Sequence, residues 1–210
     1  MAGFFTLPAV KRYLSSSWPA CLAAGLTFFL GLSWGIYWSK CLPEDQLNEA
    51  VLYLDNFLYK VGPAEINQSF ALREAIASNV KPFFILYLLS LTIIGLPVIL
   101  GVVFARGGAL GFTAGFLCQN KGFGGVLLTL AALLPHNLLL VPLLIFSSAA
   151  SLSFTVLLTR RFFNSKIKVW PSFVLYTAFM LISVGLTLLA SLIEVYINVY
   201  LVKIALPYIT

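Results

Sequence analysis

The sequence predicts an all-α fold: a polytopic integral membrane helical bundle with about five transmembrane spans, one of them broken or re-entrant, and a short amphipathic helical loop outside the cytoplasm. Its 210 residues are 60% hydrophobic and 10% charged, whereas a soluble domain is about one quarter charged. Apolar runs recur along the whole length and leave no linker, so we expect a single membrane domain, residues 1–210. The predicted spans are residues 18–38, 82–104, 107–134 (broken), 138–158 and 173–194, and the extracytoplasmic loop is residues 40–81.

The first span, residues 18–38, has the roughly 20 residues needed to cross about 30 Å of hydrocarbon. A tryptophan lies at each end, where aromatic side chains prefer the membrane interface. Lys11 and Arg12 precede the span and favour a cytoplasmic N-terminus. The apolar run is too long for a typical removed signal peptide, so we expect a retained anchor.

The loop at residues 40–81 carries six of the seven acidic residues and two amphipathic stretches. Apolar side chains recur there at helical spacing with charged side chains on other faces, which predicts two short helices near the membrane surface. We expect these helices to contact a partner protein, although they could also only cap the bundle. The expected contact residues are Leu47, Glu49, Val51, Leu54, Asp55, Leu58, Leu72, Glu74 and Ile76.

The second span, residues 82–104, contains Gly95 and Pro97, and a kink is expected there because proline lacks an amide donor. Beyond Arg106 the pattern is harder to interpret. Gly107, Gly111 and Gly115 repeat at four-residue spacing, which would let another helix approach closely, either within one bundle or in a dimer. We favour packing within the bundle.

Asn120 and Lys121 follow too soon for a full crossing after Arg106, so two paths are open for residues 107–134. One is an outward pass with an unwound middle, and the other is a re-entrant hairpin followed by another element. The basic loop containing Arg160 and Arg161 is expected in the cytoplasm, which requires an even number of crossings before it. We therefore favour the broken pass and five crossings, with six crossings as the alternative.

Four polar positions within or beside the apolar runs need an explanation. His136 and Asn137 follow Pro135 and form either a polar hinge, with Asn137 capping the next helix, or a turn at the outer interface, which we favour. Lys121 either faces protein or water at membrane depth or lies in a turn. Glu194 either lies at the interface, which we favour, or pairs with Arg106 or Lys121.

Motifs for catalysis are missing from the sequence. The only histidine is not part of an HExxH motif, the three cysteines form no CxxC pair, and no P-loop occurs. We therefore expect no enzyme activity, no catalytic residue, no metal and no cofactor. The net charge of +6 is dispersed over segment ends, so we expect contact with membrane lipid and not with nucleic acid.

Three motifs in this order resemble the stage II sporulation protein M family. They are Gly95-Leu96-Pro97-Val98, the stretch GGALGFTAGF at residues 107–116, and Leu133-Leu134-Pro135-His136-Asn137. The resemblance covers nearly the whole chain, including its size, its basic N-terminus and the acidic loop after the first span.

This resemblance implies a non-enzymatic scaffold in the cell membrane of endospore-forming bacteria, placed at the sporulation septum and in the engulfing mother-cell membrane. It implies partners too, the sporulation proteins D and P, which are peptidoglycan hydrolases that the scaffold would recruit and position. A homo-oligomer is possible. The alternative is a permease or transporter subunit with a separate energy-coupling partner, in which the broken region lines a path.

Overall fold

The computed structural model describes residues 18–61, 68–164, 169–198 and 200, almost all of them helical and none in a strand. Three of the described helices, at residues 18–40, 95–163 and 170–197, are long and apolar enough to cross a membrane. The predicted all-α membrane bundle is therefore confirmed. The helices are α1 (Trp18–Lys40), α2 (Glu44–Val61), α3 (Gln68–Ser90), α4 (Gly95–Phe163) and α5 (Trp170–Ile193), followed by a π-helix (Glu194–Asn198).

Helix α4 consists of two arms, residues 95–121 and 123–163, that fold back on each other at Gly122. This glycine has φ 53° and ψ −125°, a conformation that side-chain-bearing residues rarely adopt. The Cys118 sulfur lies 3.9 Å from the Thr129 hydroxyl, although eleven residues of straight helix would span about 16 Å. The favoured outward pass through residues 107–134 is therefore wrong, and the hairpin alternative describes this region.

Replacing Gly122 by alanine is expected to destabilise the protein by on the order of 1–3 kcal/mol, because the new side chain would hold a disfavoured backbone conformation. No neighbouring atom would obstruct the added methyl group, so the effect would be conformational only. Thermal unfolding in detergent measures it. Gly101→Ala is the control: this helical glycine also has open space around it, and alanine there should stabilise the helix by up to about 1 kcal/mol. Equal melting temperatures for the two variants would contradict the expectation.

The predicted second span, residues 82–104, is not a single helix. Helix α3 ends at Ser90, a turn occupies residues 91–94, and α4 begins at Gly95. Pro97 lies in the first turn of α4, where an amide has no acceptor within the helix, so it starts a helix and does not kink one. At Gly95 a side chain would overlap the carbonyl oxygen of Leu89. The chain therefore reverses direction before the expected kink.

The two outer-loop helices also differ from the prediction. Residues 72–80 and the following apolar run form one continuous helix, α3, with Pro82 inside it. Only α2 is a separate amphipathic helix. The part of the chain predicted as loop therefore contributes a long helix to the bundle.

Contacts between helices show the direction in which each helix runs relative to its neighbours. Helix α1 runs parallel to the first arm of α4, because Gly31 faces Phe104 and Gly35 faces Gly108. Helix α5 runs antiparallel to α3, since Asn79 bonds to Ser191 at 3.2 Å, while Tyr87, further along α3, meets Thr177, an earlier residue of α5, at 3.2 Å. The Ser151 and Tyr176 hydroxyls lie 2.9 Å apart and join the second arm to α5. Thus α1, α3, the two arms of α4 and α5 alternate in direction along the chain.

The core draws buried side chains from α1, α3, both arms of α4 and α5. Phe154 and Tyr176 stack there with ring centroids 4.8 Å apart. Much of the remaining interface consists of small hydroxyl residues, such as Ser151, Thr155 and Thr187, which donate hydrogen bonds to carbonyls four residues earlier in their own helices. Small residues let apolar helices approach closely while the hydroxyls remain bonded.

Candidate functional site

Helix α2 is held against the α4 hairpin by the residues that we expected to contact a partner. Leu47, Val51 and Leu54 are half-buried and pack on an apolar cluster at the hairpin. That cluster consists of Phe116, Leu117 and Leu128 with Ala131, Ala132 and Leu133 around them. These three residues of α2 are therefore not a free docking face. The capping role, which the sequence left as an alternative, describes them.

The remaining expected contact residues are scattered. Glu49 of α2 and Glu74 of α3 are exposed, whereas Leu72 and Ile76 are half-buried on α3. The side chains of Asp55 and Leu58 lie outside the described residues.

The outward face of α2 carries a different set of residues, of which only Glu49 was predicted to contact a partner. Leu52 is 64% exposed and Tyr53 is 77% exposed, with the acidic side chains of Asp45 and Glu49 exposed on the same helix. The apolar spacing that starts at Leu47 identifies the inner face, so Leu52 and Tyr53 could have been found as large apolar residues that do not fit it. An exposed aromatic side chain beside carboxylates is a surface suited to protein contact.

A glycine seam joins α1 to the first arm of α4. Side chains added at Gly107 or Gly111 would overlap carbonyl oxygens of α1, and one at Gly115 would overlap the Ser39 hydroxyl. None of these glycines breaks the helix. Gly31 and Gly35, which were not among the predicted contact residues, contribute the α1 half of the seam and repeat at the same four-residue spacing. The seam fixes the hairpin on which α2 lies.

A polar cluster lies where α3, both arms of α4 and α5 meet. Asn79 is only 4% exposed, and its amide donates to the Glu194 carboxylate at 2.6 Å and to the Ser191 hydroxyl at 3.2 Å. Glu194 also interacts electrostatically with Arg106 and His136. The hydrogen-bond partner of Glu194 is therefore Asn79, which neither alternative from the sequence named, and Glu194 begins the π-helix, a conformation that is frequent at functional sites.

Arg106 is placed by a proline on the neighbouring helix. Pro82 lacks an amide hydrogen and leaves the carbonyl of Ser78, four residues earlier, without its helical donor. The guanidinium of Arg106 donates to this carbonyl at 2.6 Å. Arg106 thus completes the backbone bonding of α3 and brings a positive charge to the polar cluster.

His136 and Asn137 do not form an interfacial turn, which corrects the favoured interpretation. Both lie inside the second arm of α4, which continues through Pro135, and His136 is 8% exposed. The Asn137 amide donates to the Leu133 carbonyl at 2.8 Å and therefore does not cap a new helix. Gly122 is the only residue of α4 with a non-helical backbone conformation, so the helix continues through His136 and Asn137.

Lys121 directly precedes Gly122 and is half-buried at the reversal of the chain. This position corresponds to the turn that its glycine neighbours indicated. A cavity of about 20 Å³ lies beside the polar cluster and is lined in part by Asn79, Arg106 and Asn137. That volume suits a single water molecule. Among the described residues, no group of three or more His, Cys, Asp and Glu could hold a metal ion.

Comparison with known proteins gives one finding. The model of a protein family described as Stage II sporulation protein M matches residues 24–198. No curated protein and no solved structure matches the chain. The matched range extends from α1 to the end of the π-helix and contains the glycine seam, the outward face of α2 and the polar cluster.

Proposed function

The chain belongs to the stage II sporulation protein M family, and on this basis we propose that it is a membrane scaffold of the engulfment machinery that recruits and positions peptidoglycan hydrolases at the sporulation septum. Its membership of this family and its long apolar helices identify the chain as a sporulation-related membrane protein. The proposed partners are the hydrolytic sporulation proteins D and P. Its proposed mechanism is binding, with no catalytic step in this chain.

The observation that supports recruitment is the way α2 is held. Its inner face packs on the α4 hairpin, so its outer face, with Glu49, Leu52 and Tyr53, is turned away from the bundle. A surface held in its binding conformation loses less conformational entropy on association. Acidic side chains around an aromatic residue would favour a partner with a basic rim and an apolar pocket.

The double variant Leu52→Lys, Tyr53→Lys is expected to abolish concentration of the hydrolases at the septum while membrane insertion stays normal. Both side chains are exposed, so the change removes the apolar contact and neutralises the negative charge of Asp45 and Glu49 without disturbing the bundle. Fluorescence microscopy of tagged hydrolases in sporulating cells measures it. Phe162→Lys is the control. Phe162 is an aromatic residue of similar exposure, and it lies at the end of the second arm of α4, away from the hairpin turn on which α2 packs. Unchanged hydrolase localisation in the double variant would contradict this docking surface.

The permease alternative has one observation in its favour, the polar cluster between α3, α4 and α5. The cavity of about 20 Å³ beside it has room for a single water molecule. Crosslinking in cells separates the two functions. Capture of peptidoglycan hydrolases from the outward face of α2 supports the scaffold, whereas capture of an ATPase from the end of α4 near Arg161 supports the permease.

A further inference from the structure

The outer face of α3 carries two unpaired charges beside an open cleft that α3 forms with the first arm of α4. The cleft has a volume of about 540 Å³. Glu74, Ala77, Ser78 and Lys81 line it from α3, and all four are exposed. Among the residues that the structure describes, Glu74 and Lys81 have no hydrogen bond and no ion pair. We call these four residues the charged face of α3.

Contacts in the glycine seam give the depth of Arg106 in the membrane. Helix α1 is long and apolar enough to cross a membrane, and its central residue is Phe29. The neighbouring Phe28 lies against Gly107 of the first arm. Arg106 is therefore level with the middle of the α1 span, about 15 Å from either surface of the hydrocarbon.

The charged face of α3 lies at the same depth. The Arg106 guanidinium donates to the Ser78 carbonyl at 2.6 Å, so Ser78 is close to the level of Arg106. Glu74 and Lys81 are four and three residues from Ser78, which is about 6 Å or less along the helix axis. Ionised side chains at this depth are rare, and they almost always face protein or water and have a polar partner. Glu74 and Lys81 thus require a partner outside the described residues.

Helix α1 shows a different surface at this depth. The residues that it exposes near its centre are Leu26, Phe29 and Leu30. All three are apolar, as expected for side chains in contact with acyl chains. The charged face of α3 does not fit such contact, so we infer that α3 has different surroundings.

The charges identify the kind of partner that would cover this face. Arg106 needs none, because it bonds to Ser78 and interacts with Glu194. Glu74 and Lys81 lie seven residues apart, two turns of one helix. A second copy of the chain, related by a two-fold axis along the membrane normal, would place Lys81 opposite Lys81 and Glu74 opposite Glu74. Like charges repel strongly in a medium of low dielectric constant, so a second copy is a poor match.

We propose that a transmembrane helix of another protein packs in this cleft, with a carboxylate beside Lys81 and a basic side chain beside Glu74. Two such ion pairs would neutralise both unpaired charges at this depth. Ala77, Ser78 and Ala105 line the same cleft, and small side chains let a second helix approach closely. The proposal goes beyond hydrolase recruitment through α2, because it concerns another face of the protein and a partner inside the membrane.

Binding of model transmembrane peptides to the full chain in liposomes tests this proposal, with energy transfer between labelled peptide and labelled chain as the readout. The probe is a leucine–alanine helix of about 21 residues, with a glutamate at its centre and a lysine seven residues away. It should bind, and the same helix with glutamine at its centre should bind about fivefold more weakly. Lys81→Glu should reverse the preference and favour a helix with lysine at the centre. Lys40→Glu, at an exposed lysine at the end of α1, should keep the original preference.

Four results would overturn the proposal. The glutamate helix could fail to bind, which would leave the cleft to water, or it could bind no better than the glutamine helix. Lys81→Glu could keep the original preference, which would place the peptide elsewhere. Energy transfer between two copies of the chain that the glutamate helix does not displace would assign this face to a homo-oligomer.

Two checks keep this test separate from folding and from hydrolase recruitment. Because Lys81 is exposed, Lys81→Glu should fold, and its melting temperature measures this. The Leu52→Lys, Tyr53→Lys variant should bind the glutamate helix as the unchanged protein does, since its changes lie on α2. Failure of the docking surface on α2 would therefore leave this result unchanged.

Discussion

The double variant Gly35→Ala, Gly111→Ala is expected to lose about 2–6 kcal/mol of stability, or to fail to fold. A methyl group at Gly35 would overlap the carbonyl oxygen of Gly108, and one at Gly111 would overlap that of Leu32. Backbone atoms cannot rotate aside as a flexible side chain can, so α1 and the first arm of α4 would have to separate. Overpacking typically costs about 1–3 kcal/mol at one site.

The control for this variant is Gly25→Ala, Gly101→Ala, which changes the same two helices. Neither position has a neighbouring atom within 4 Å of an added methyl group. Alanine is a better helix former than glycine, so this pair should stabilise the protein by up to about 2 kcal/mol, at about 1 kcal/mol for each site. Thermal unfolding in detergent compares the two proteins. Equal melting temperatures for the two double variants would show that the seam is not a close contact between backbones.

Replacing Asn79 by leucine is expected to destabilise the protein by about 3 kcal/mol. This value is the upper end of the range for a hydrogen bond to a charged group. The leucine would fill similar space but leave the carboxylate of Glu194 and the hydroxyl of Ser191 without the amide that now donates to both. Chemical or thermal unfolding measures the loss.

A double-mutant cycle with Glu194→Gln identifies the cause of that loss. A neutral amide is easier to leave without its donor than a carboxylate, so Asn79→Leu should cost less in the Glu194→Gln background. Asn48→Leu, at an exposed asparagine of α2, is the control and should change stability by no more than about 0.5 kcal/mol. If Asn79→Leu cost the same with the carboxylate present and with the neutral amide in its place, the charge would not be part of the effect.

The polar cluster shows what a sequence alone leaves open. Asn79 and Glu194 are 115 residues apart in the chain, and Asn79 lies in an amphipathic stretch of the predicted outer loop, where nothing distinguishes it from a residue facing water. The periodicity of a helix tells which residues share a face, but not which other face it meets. For the same reason the sequence identified Leu47, Val51 and Leu54 as one apolar face and assigned it to a partner, whereas it packs on the α4 hairpin.

The sequence did not predict the chain reversal before α4 for a different reason. Gly95 and Pro97 fit a kink inside a helix and the beginning of a new helix equally well, because proline is tolerated in the first turn and disrupts later ones. Which of the two occurs depends on whether α3 and α4 pack side by side. The close approach of Gly95 to the Leu89 carbonyl at the turn is part of that packing.

Composition and local pattern by themselves determined that this protein is an all-α membrane bundle, that α2 is amphipathic and that the chain breaks near Lys121. These features follow from the hydropathy of consecutive residues and from the backbone freedom of glycine, both of which are local. Only the tertiary structure decided where the chain reverses, which face of α2 is free and how Asn79, Arg106, His136 and Glu194 meet. Those features depend on contacts between distant helices, whose free energy belongs to pairs of surfaces and not to either segment alone.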